Sequence, residues 1–388
     1  MYQVVVVGGG PVGRLAAHLV AGEGLQCAVV DDHPCPDHAV TCTGIVGTNT
    51  FRQFALPPTS ILGELHAARI FSPSGFTFSV SSSRTMAYLL SREILARDLY
   101  RSALEQGVHF YFDFHCLAVK VKNDRVIVVG RSEAGQREAL EAQVAIIATG
   151  VHSHLTQMLG LGRPSSMLDA AQVEAEMEGL EAGTVEIYLG RGWGAASFAW
   201  VVPVPGGRSR IGITTPAVAA RHLKGFLASS PIAGRLQRIC GEMRSRPIPW
   251  EPLSQTYGNR ILVAGDAAGQ VKPITGGGLY FGFIGAAAAA QTVAEAFRKG
   301  DFGAPSLSRY EQRWKSRIGL EISTGAFFRR LASRLTDEDL DALVKACRDD
   351  GLARIFLRAQ DFDLHSKVVF ALLHSPWGHL FRKSFPDK

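Results

Sequence analysis

The sequence predicts an α/β chain: a Rossmann-type nucleotide-binding domain, an antiparallel-sheet domain and a helical C-terminal region. Three observations carry that prediction. A strand, a glycine-rich turn and a helical pattern open the chain. Short strand-like runs separated by glycine turns fill residues 183–215. Helical spacing dominates from residue 301 onward. At 388 residues the chain is too long for one ordinary core, so two or three domains are expected. Hydrophobic residues at 46% and charged residues at 20% set the expectation of a soluble globular protein.

Residues 3–7 are an apolar strand. Gly8, Gly9, Gly10, Pro11, Val12 and Gly13 follow, then a helical pattern through Leu15, Ala16, Leu19 and Val20, which Gly24 stops. A second strand, residues 26–30, ends in Asp31 and Asp32. This is G-x-G-x-x-G inside a strand–helix–strand unit, with an acid about 20 residues on. Gly8, Gly10 and Gly13 permit the tight turn and the close approach of a pyrophosphate. Asp31 is placed to accept hydrogen bonds from ribose hydroxyls, with Asp32 as the alternative one residue away. Prolines mark residues 33–38 as a loop. His33, Cys35 and His38 there have no second ligand pair at zinc-like spacing, so no metal is expected. Cys42, Thr43 and Gly44 form a small-residue stretch just beyond the ribose acid.

Residues 69–80 alternate enough for a strand pair around Pro73, Ser74 and Gly75. Ser91 is a candidate cap for a helix with Ile94, Leu95, Leu99 and Ala103 on one face. Arg92 stands in its first turn, where the helix dipole favours acids; a phosphate contact and a plain surface arginine both account for it. Short strands follow at 108–112, 118–121 and 125–129. Residues 144–148 are another, ending in Ala148, Thr149 and Gly150. In the all-strand stretch the runs are 185–189, 197–202 and 209–214. Tyr188, Trp193, Phe198 and Trp200 either line an apolar pocket there or fill a core. Residues 217–240 have a helical pattern. In the tail, Thr336 before Asp337, Glu338 and Asp339 resembles a capped helix start. At the end, Trp377, Phe381, Arg382, Lys383 and Phe385 mix aromatics with cations. Contact with a membrane interface and docking on the rest of the protein both suit them.

Residues 265–279 are the most informative stretch. A short strand, 261–264, leads into a loop holding Asp266. Gly276, Gly277 and Gly278 then open a long Ala-rich helix at Leu279. Unpaired N–H groups at a helix start carry partial positive charge, and glycines let a bulky ligand approach them. Such a site suits an anion or a ring that gains negative charge.

The formal charge is +6, and residues 298–388 hold 17 Lys/Arg against 12 Asp/Glu. The excess is too mild and dispersed for nucleic acid. A solvated helical surface and acidic membrane headgroups both fit it. The six cysteines include no C-x-x-C pair, which reads as reduced thiols in a cytoplasmic protein. The chain starts directly in a strand, so no signal peptide is expected. No apolar run is long enough to predict a transmembrane helix.

Taken together, these motifs resemble the geranylgeranyl reductase family, flavoproteins on the fold of the aromatic-ring hydroxylases. The resemblance covers about residues 1–300 and rests on four pieces: the glycine unit with Asp31; Cys42-Thr43-Gly44-Ile45-Val46; Phe198-Ala199-Trp200-Val201-Val202-Pro203 with Gly212; and the 265–279 stretch. It implies FAD as cofactor, with flavin contacts at Val12, Asp31, Cys42, Thr43, Arg92, Asp266, Gly278 and Leu279. With the glycine positions and Gly44, these are the expected cofactor-binding residues. Phe198, Trp200 and Pro203 are the expected substrate residues. Cys42 is the candidate catalytic thiol, for proton delivery or flavin positioning.

The fold class in full is then α/β, a Rossmann-type FAD-binding domain with an antiparallel-sheet substrate domain and a helical C-terminal region. The expected boundaries are 1–63 with 84–150 and 255–298 for the first, 64–83 with 151–254 for the second, and 299–388 for the third. The implied activity is saturation of C=C bonds in a geranylgeranyl or polyprenyl substrate, either a diphosphate or lipid-linked. A flavin monooxygenase or halogenase acting on a small natural product is the alternative. The sequence departs from the family pattern at Phe198 and Val202. Ala148-Thr149-Gly150 lacks the acid this fold often carries there, so NADPH and a ferredoxin-like protein both stay open as external electron donor. The expected location is cytoplasmic or peripheral at the membrane.

Overall fold

The computed structural model describes residues 1–36, 42–132, 134–152, 154–229, 232–349 and 361–382. His38 of the loop motif, and Lys383 and Phe385 of the tail motif, lie outside the described residues. The chain divides into two compact units, one of Met1–Val40, Arg92–Ser166 and Pro249–Ile322, the other of Thr41–Ser91, Met167–Ile248 and Ser323–Lys388.

The first unit is built on a mixed sheet. Tyr2–Val7 pairs in parallel with Cys27–Val30 on one side and Arg137–Ile147 on the other. The sheet extends outward through His109–Tyr111 and Ile261–Val263. Residues 4–7 and 27–30 are buried without alternation, as strands covered on both faces must be. Helices Pro11–Gly22, Arg92–Glu105 and Leu279–Lys299 belong to this unit. Gly282 of the third faces Val12 of the first so closely that a Cβ would be 2.5 Å from a Val12 methyl. The Asn123–Asp124 turn joins the expected hairpin, His115–Val121 against Val126–Arg131.

The second unit holds a seven-stranded sheet in the order Leu236–Pro249, Met167–Met177, Arg208–Thr215, Phe198–Val204, Thr184–Leu189, Ala67–Phe71, Thr77–Ser81. Its pairs are antiparallel except Thr184–Leu189 with Ala67–Phe71. One face carries Ala199, Val201, Ile211 and Ile213, which pack on helix Ala219–Ala228. The other face packs partly on the tail helices and partly on a three-stranded sheet of Ile45–Gly47, Ala87–Leu90 and Ile61–Leu65.

One expectation is corrected, and of the two readings of the tail aromatics one is decided for Phe381. The helical pattern over 217–240 is realised only in Ala219–Ala228; from Leu236 the chain is an edge strand. Pro231 has no N–H with which to continue a helix, and long-range pairing with Met167–Met177 overrides local periodicity. Phe381 is 1% exposed and its ring lies 5.3 Å from that of Phe328, so it is a core residue, not a membrane anchor. The expected cap is present: Asp339 N–H donates to Thr336 Oγ1 at 3.2 Å, and Thr336 N–H donates to Asp339 Oδ2 at 3.1 Å.

Candidate functional site

The glycine turn of the first unit shows what each missing side chain permits. Gly8 has φ of +109°, and a Cβ there would run into the Ala148 carbonyl. A Cβ on Gly9 would overlap the Asp31 carboxylate, and one on Gly13 would overlap the Gly8 carbonyl. These three glycines let strand, turn and helix close on one another. Gly10 differs: a Cβ there meets nothing within 4 Å. Its bare backbone faces open space at the N-terminus of Pro11–Gly22, a helix with no side-chain cap and no acid in its first turn. Its unpaired N–H groups and macrodipole suit a phosphate.

Asp31 is 4% exposed, and its Oδ2 has no hydrogen-bond partner among the described residues. Asp32 is exposed, so Asp31 is the acid presented at this turn. A buried carboxylate oxygen without a donor fits the ribose hydroxyls of a dinucleotide. Open space at Gly10 together with this orphaned acceptor shows that the residues present fit FAD.

Arg14, missed in the sequence reading, stands 3.8 Å from Asp31 Oδ2, and its Nη1 donates to the Ala96 carbonyl at 2.6 Å. His33 Nδ1 lies 2.9 Å from Asp31 Oδ1 and 3.3 Å from Asp32 Oδ1. Burial pushes the Asp31 carboxyl up, but the His33 hydrogen bond and charge, with Arg14, outweigh it and hold the group below its ordinary value. The same hydrogen bond raises His33 above 6.5, against an opposing effect of burial. A raised histidine stabilises the fold below its unfolded value, and that contribution fades as pH rises through the folded one. The melting-temperature gap between wild type and His33→Gln is therefore expected to be widest near pH 6 and to close toward pH 8.5. A gap that widens with pH would contradict the pairing.

The loop around Asp266 is held by a buried polar chain. Gly265 N–H donates to Gln270 Oε1 at 2.8 Å. Gln270 Nε2 donates to the Tyr310 hydroxyl at 2.9 Å, which donates to the Val263 carbonyl at 2.6 Å. Gln270 and Tyr310 are both 0% exposed. Gly285 has no side chain because the Gln270 carboxamide occupies that space. Gly276 has φ of +74° and closes the turn on the Lys272 carbonyl at 2.9 Å; Lys272 N–H donates back to Gly277 at 3.1 Å. A Cβ on Gly278 would be 2.6 Å from Asp266 Oδ1, so the half-buried carboxylate stands at the start of the helix that Leu279 opens. Lys272, 4% exposed, runs past Gly277. Gln270 was legible as a polar residue in an apolar loop. Tyr310, 40 positions further on, carried no local signal. Arg92, also of this unit, is 7% exposed and opens helix Arg92–Glu105.

Cys42, Thr43 and Gly44 belong to the second unit. Cys42 is half-buried, and Gly44 has φ of +81°. Thr43 Oγ1 donates to Gln172 Oε1 at 2.7 Å. Arg210 Nη1 donates to the Thr43 carbonyl at 2.7 Å and to the Leu90 carbonyl at 3.1 Å, while its Nε donates to Glu174 at 3.0 Å. Arg210, 9% exposed and not anticipated, thus clamps the loop next to Cys42. Trp200 is paired in register with Gly212, whose missing side chain leaves space for the indole ring. Gln172 is the next partner of Gly212 across the sheet. Trp200, Phe198, Gln172 and the Thr43 that bonds it therefore share one sheet face. Pro203 alternates onto the other face with Ala199 and Val201, so the structure does not group it with the two aromatics.

A family model described as FAD binding domain matches residues 1–191. Digeranylgeranylglycerophospholipid reductase 2 of Methanothermobacter thermautotrophicus is 30% identical over 369 residues, covering 91% of this chain and 94% of its own. The chain belongs to the geranylgeranyl reductase family. FAD is its cofactor, and it is an FAD-dependent oxidoreductase. A solved geranylgeranyl bacteriochlorophyll reductase-like protein from Thermoplasma acidophilum has the same fold, at TM-score 0.88 and 21% identity with 98% of each chain covered. A flavin-dependent brominase matches at TM-score 0.70 and 16% identity over 99% of this chain and 98% of its own, a likeness of fold alone. Among the described residues, no helix is long and apolar enough to cross a membrane.

Proposed function

We propose that this member of the geranylgeranyl reductase family saturates C=C bonds in the isoprenoid chains of a lipid or of its diphosphate precursor. The reading is supported by an FAD cradle in the first unit and, within the second, by a sheet face that carries Phe198, Trp200 and the Gln172 bonded by Thr43. The relative from Methanothermobacter thermautotrophicus, named for reducing a digeranylgeranyl lipid, supports it. Reduced FAD, when bound, supplies the hydride for one alkene carbon; the other carbon needs a proton. Asp31 would accept from the ribose hydroxyls, and Asp266 with Gly276, Gly277, Gly278 and Leu279 would hold the flavin ring at a helix start whose partial positive charge suits an electron-rich group. Cys42 Sγ–H is our candidate proton donor, held by the Arg210 clamp on Thr43. Phe198 and Trp200 position the chain. An external reductant, NADPH or a ferredoxin-like protein, supplies the electrons. A membrane-derived substrate also suits the cation excess of residues 298–388.

The test is anaerobic incubation of dithionite-reduced holoenzyme with geranylgeranyl diphosphate and with a geranylgeranyl lipid. Products heavier by pairs of hydrogens are expected. Unchanged lipids, with oxygenated or halogenated products forming only in air, are the outcome expected of a monooxygenase or halogenase instead.

A further inference from the structure

Within the second unit, helix Ala219–Ala228 and the edge strand Leu236–Pro249 leave a groove between them. It opens on the opposite sheet face from Phe198 and Trp200, the face that carries Val173, Val201 and Ile211. Its volume is about 440 Å³, within the range of about 300–1,000 Å³ that ligand sites occupy. Val173, Leu227, Leu236, Ile239 and Met243 line it, and Lys224 is the one polar side chain among the described residues of its wall. The turn into the edge strand is anchored. Arg235 donates from Nη1 and Nη2 to the Glu186 carboxylate, both at 2.9 Å, and the Tyr188 hydroxyl donates to Glu186 Oε2 at 2.7 Å. Glu186 is only 4% exposed, whereas Ile239 is 48% exposed, a large aliphatic side chain left to water on the wall of a groove.

The rim is basic. Residues 218–249 contain six Lys/Arg and a single acid, Glu242. Arg235 is taken up by Glu186. Of the acids on the adjoining strand, Asp169 caps the helix, and Glu174 and Glu176 pair with Arg210 and Arg238. Arg221 and Lys224 are both exposed and have no ion-pair partner among the described residues. They stand three positions apart, so they share one side of the helix. A lysine there covers apolar wall with its stem and keeps its ammonium in water.

We infer that this groove docks the protein on a bilayer of acidic lipid, a lipid chain lying between helix and edge strand and the headgroup phosphates meeting Arg221 and Lys224. The inference rests on the isoprenoid-lipid reading above and names the surface at which the protein meets the membrane that holds its substrate. Walls that offer one cation and no hydrogen-bonding side chain suit a hydrocarbon chain with an acidic head; the backbone groups of a peptide would go unpaired against them. A second copy is disfavoured, because Gly241, with φ of +86°, and Pro247 interrupt the open edge of the strand, as in edges protected against strand addition.

The experiment is flotation of the holoenzyme with vesicles of phosphatidylcholine alone and of phosphatidylcholine mixed equally with phosphatidylglycerol. Wild type is expected to bind the acidic vesicles about tenfold more tightly than the neutral ones, and less so as salt is raised. Lys224→Glu should weaken binding to acidic vesicles about tenfold at low salt and little at high salt. Ile239→Asp should weaken it about tenfold at either salt concentration, because it removes apolar contact. Both side chains are exposed, so melting temperature, FAD content and turnover of dissolved geranylgeranyl diphosphate should match wild type. Lys299→Glu makes the same change of net charge at an exposed residue of the first unit and should leave binding within about twofold. Equal losses from Lys299→Glu and Lys224→Glu, or binding that Ile239→Asp and Lys224→Glu leave unchanged, overturn the groove as the docking surface. Failure of wild type to bind either vesicle overturns it too. The reductase reading fails separately, if wild type leaves dissolved geranylgeranyl diphosphate unreduced while still floating with acidic vesicles.

Discussion

Gly9→Ala, a change of one methyl group, is expected to leave the purified protein without yellow colour. The added Cβ would occupy the position of the Asp31 carboxylate. Asp31 cannot step back, because its N–H donates to Tyr111 and its carbonyl accepts from Phe114, both at 2.9 Å. The side chain must rotate away, which removes the acceptor we propose for the ribose and breaks the His33 pair. Overpacking of this kind costs about 1–3 kcal/mol of stability. Loss of a charged acceptor costs about 1.5–3 kcal/mol of binding, so FAD affinity should fall about tenfold to a hundredfold or further. Gly10→Ala separates the two effects. Its Cβ meets no protein atom within 4 Å, so the apo-protein should melt as wild type does. The methyl would nevertheless fill the space left for the pyrophosphate, and FAD should again be lost. Flavin absorbance after gel filtration, with apo-protein melting curves, gives both readouts. Full colour in Gly10→Ala would show that the pyrophosphate lies elsewhere.

The second large effect is expected at Gly212. A Cβ there would overlap the Trp200 ring and stand 2.9 Å from the Ala171 carbonyl, so Gly212→Ala must turn the indole out of its place. The substitution is expected to destabilise the protein by about 1–3 kcal/mol and to reduce isoprenoid turnover at least tenfold. FAD content should fall far less than turnover, because the glycine turn, Asp31 and the Asp266 loop belong to the other unit and only the Thr43 loop shares the unit of Gly212. The double variant Gly212→Ala/Trp200→Ala tests the cause. With the ring gone, only the 2.9 Å approach to the Ala171 carbonyl remains, so the methyl should cost less than in the wild-type background, a non-additive coupling of about 1 kcal/mol or more. Strict additivity would mean that Gly212 is needed for some reason other than the ring.

Gly212 also shows how far local sequence carries. That a tryptophan and a glycine twelve positions on belong to one signature was visible in the sequence. Why they do was not, because the link is a cross-strand register that only the folded sheet defines. The glycine turn, Asp31 and the triple-glycine helix start were legible for the opposite reason. Each is a backbone device whose requirements fall on adjacent residues. Pro203 was grouped with Phe198 and Trp200 by proximity in sequence, but the period-two alternation of a strand turns it to the other face. Arg14, Arg210 and Tyr310 left no local mark. Each reaches partners far away in the chain: Arg14 bonds Ala96, Arg210 bonds Thr43, and Tyr310 bonds Val263. The misread helix at 217–240 has the same origin, since strand Leu236–Pro249 exists only through a partner some 70 positions earlier, near Met167.

The account stands or falls on what the reduced protein does to an isoprenoid double bond. Dithionite-reduced holoenzyme should be mixed with a geranylgeranyl lipid under strict anaerobiosis, and the lipid followed by mass with the flavin spectrum beside it. The expected result is reoxidation of the flavin in step with lipid gaining two hydrogens per turnover. A flavin that stays reduced over unchanged lipid, and reoxidises only when air is admitted, would contradict it.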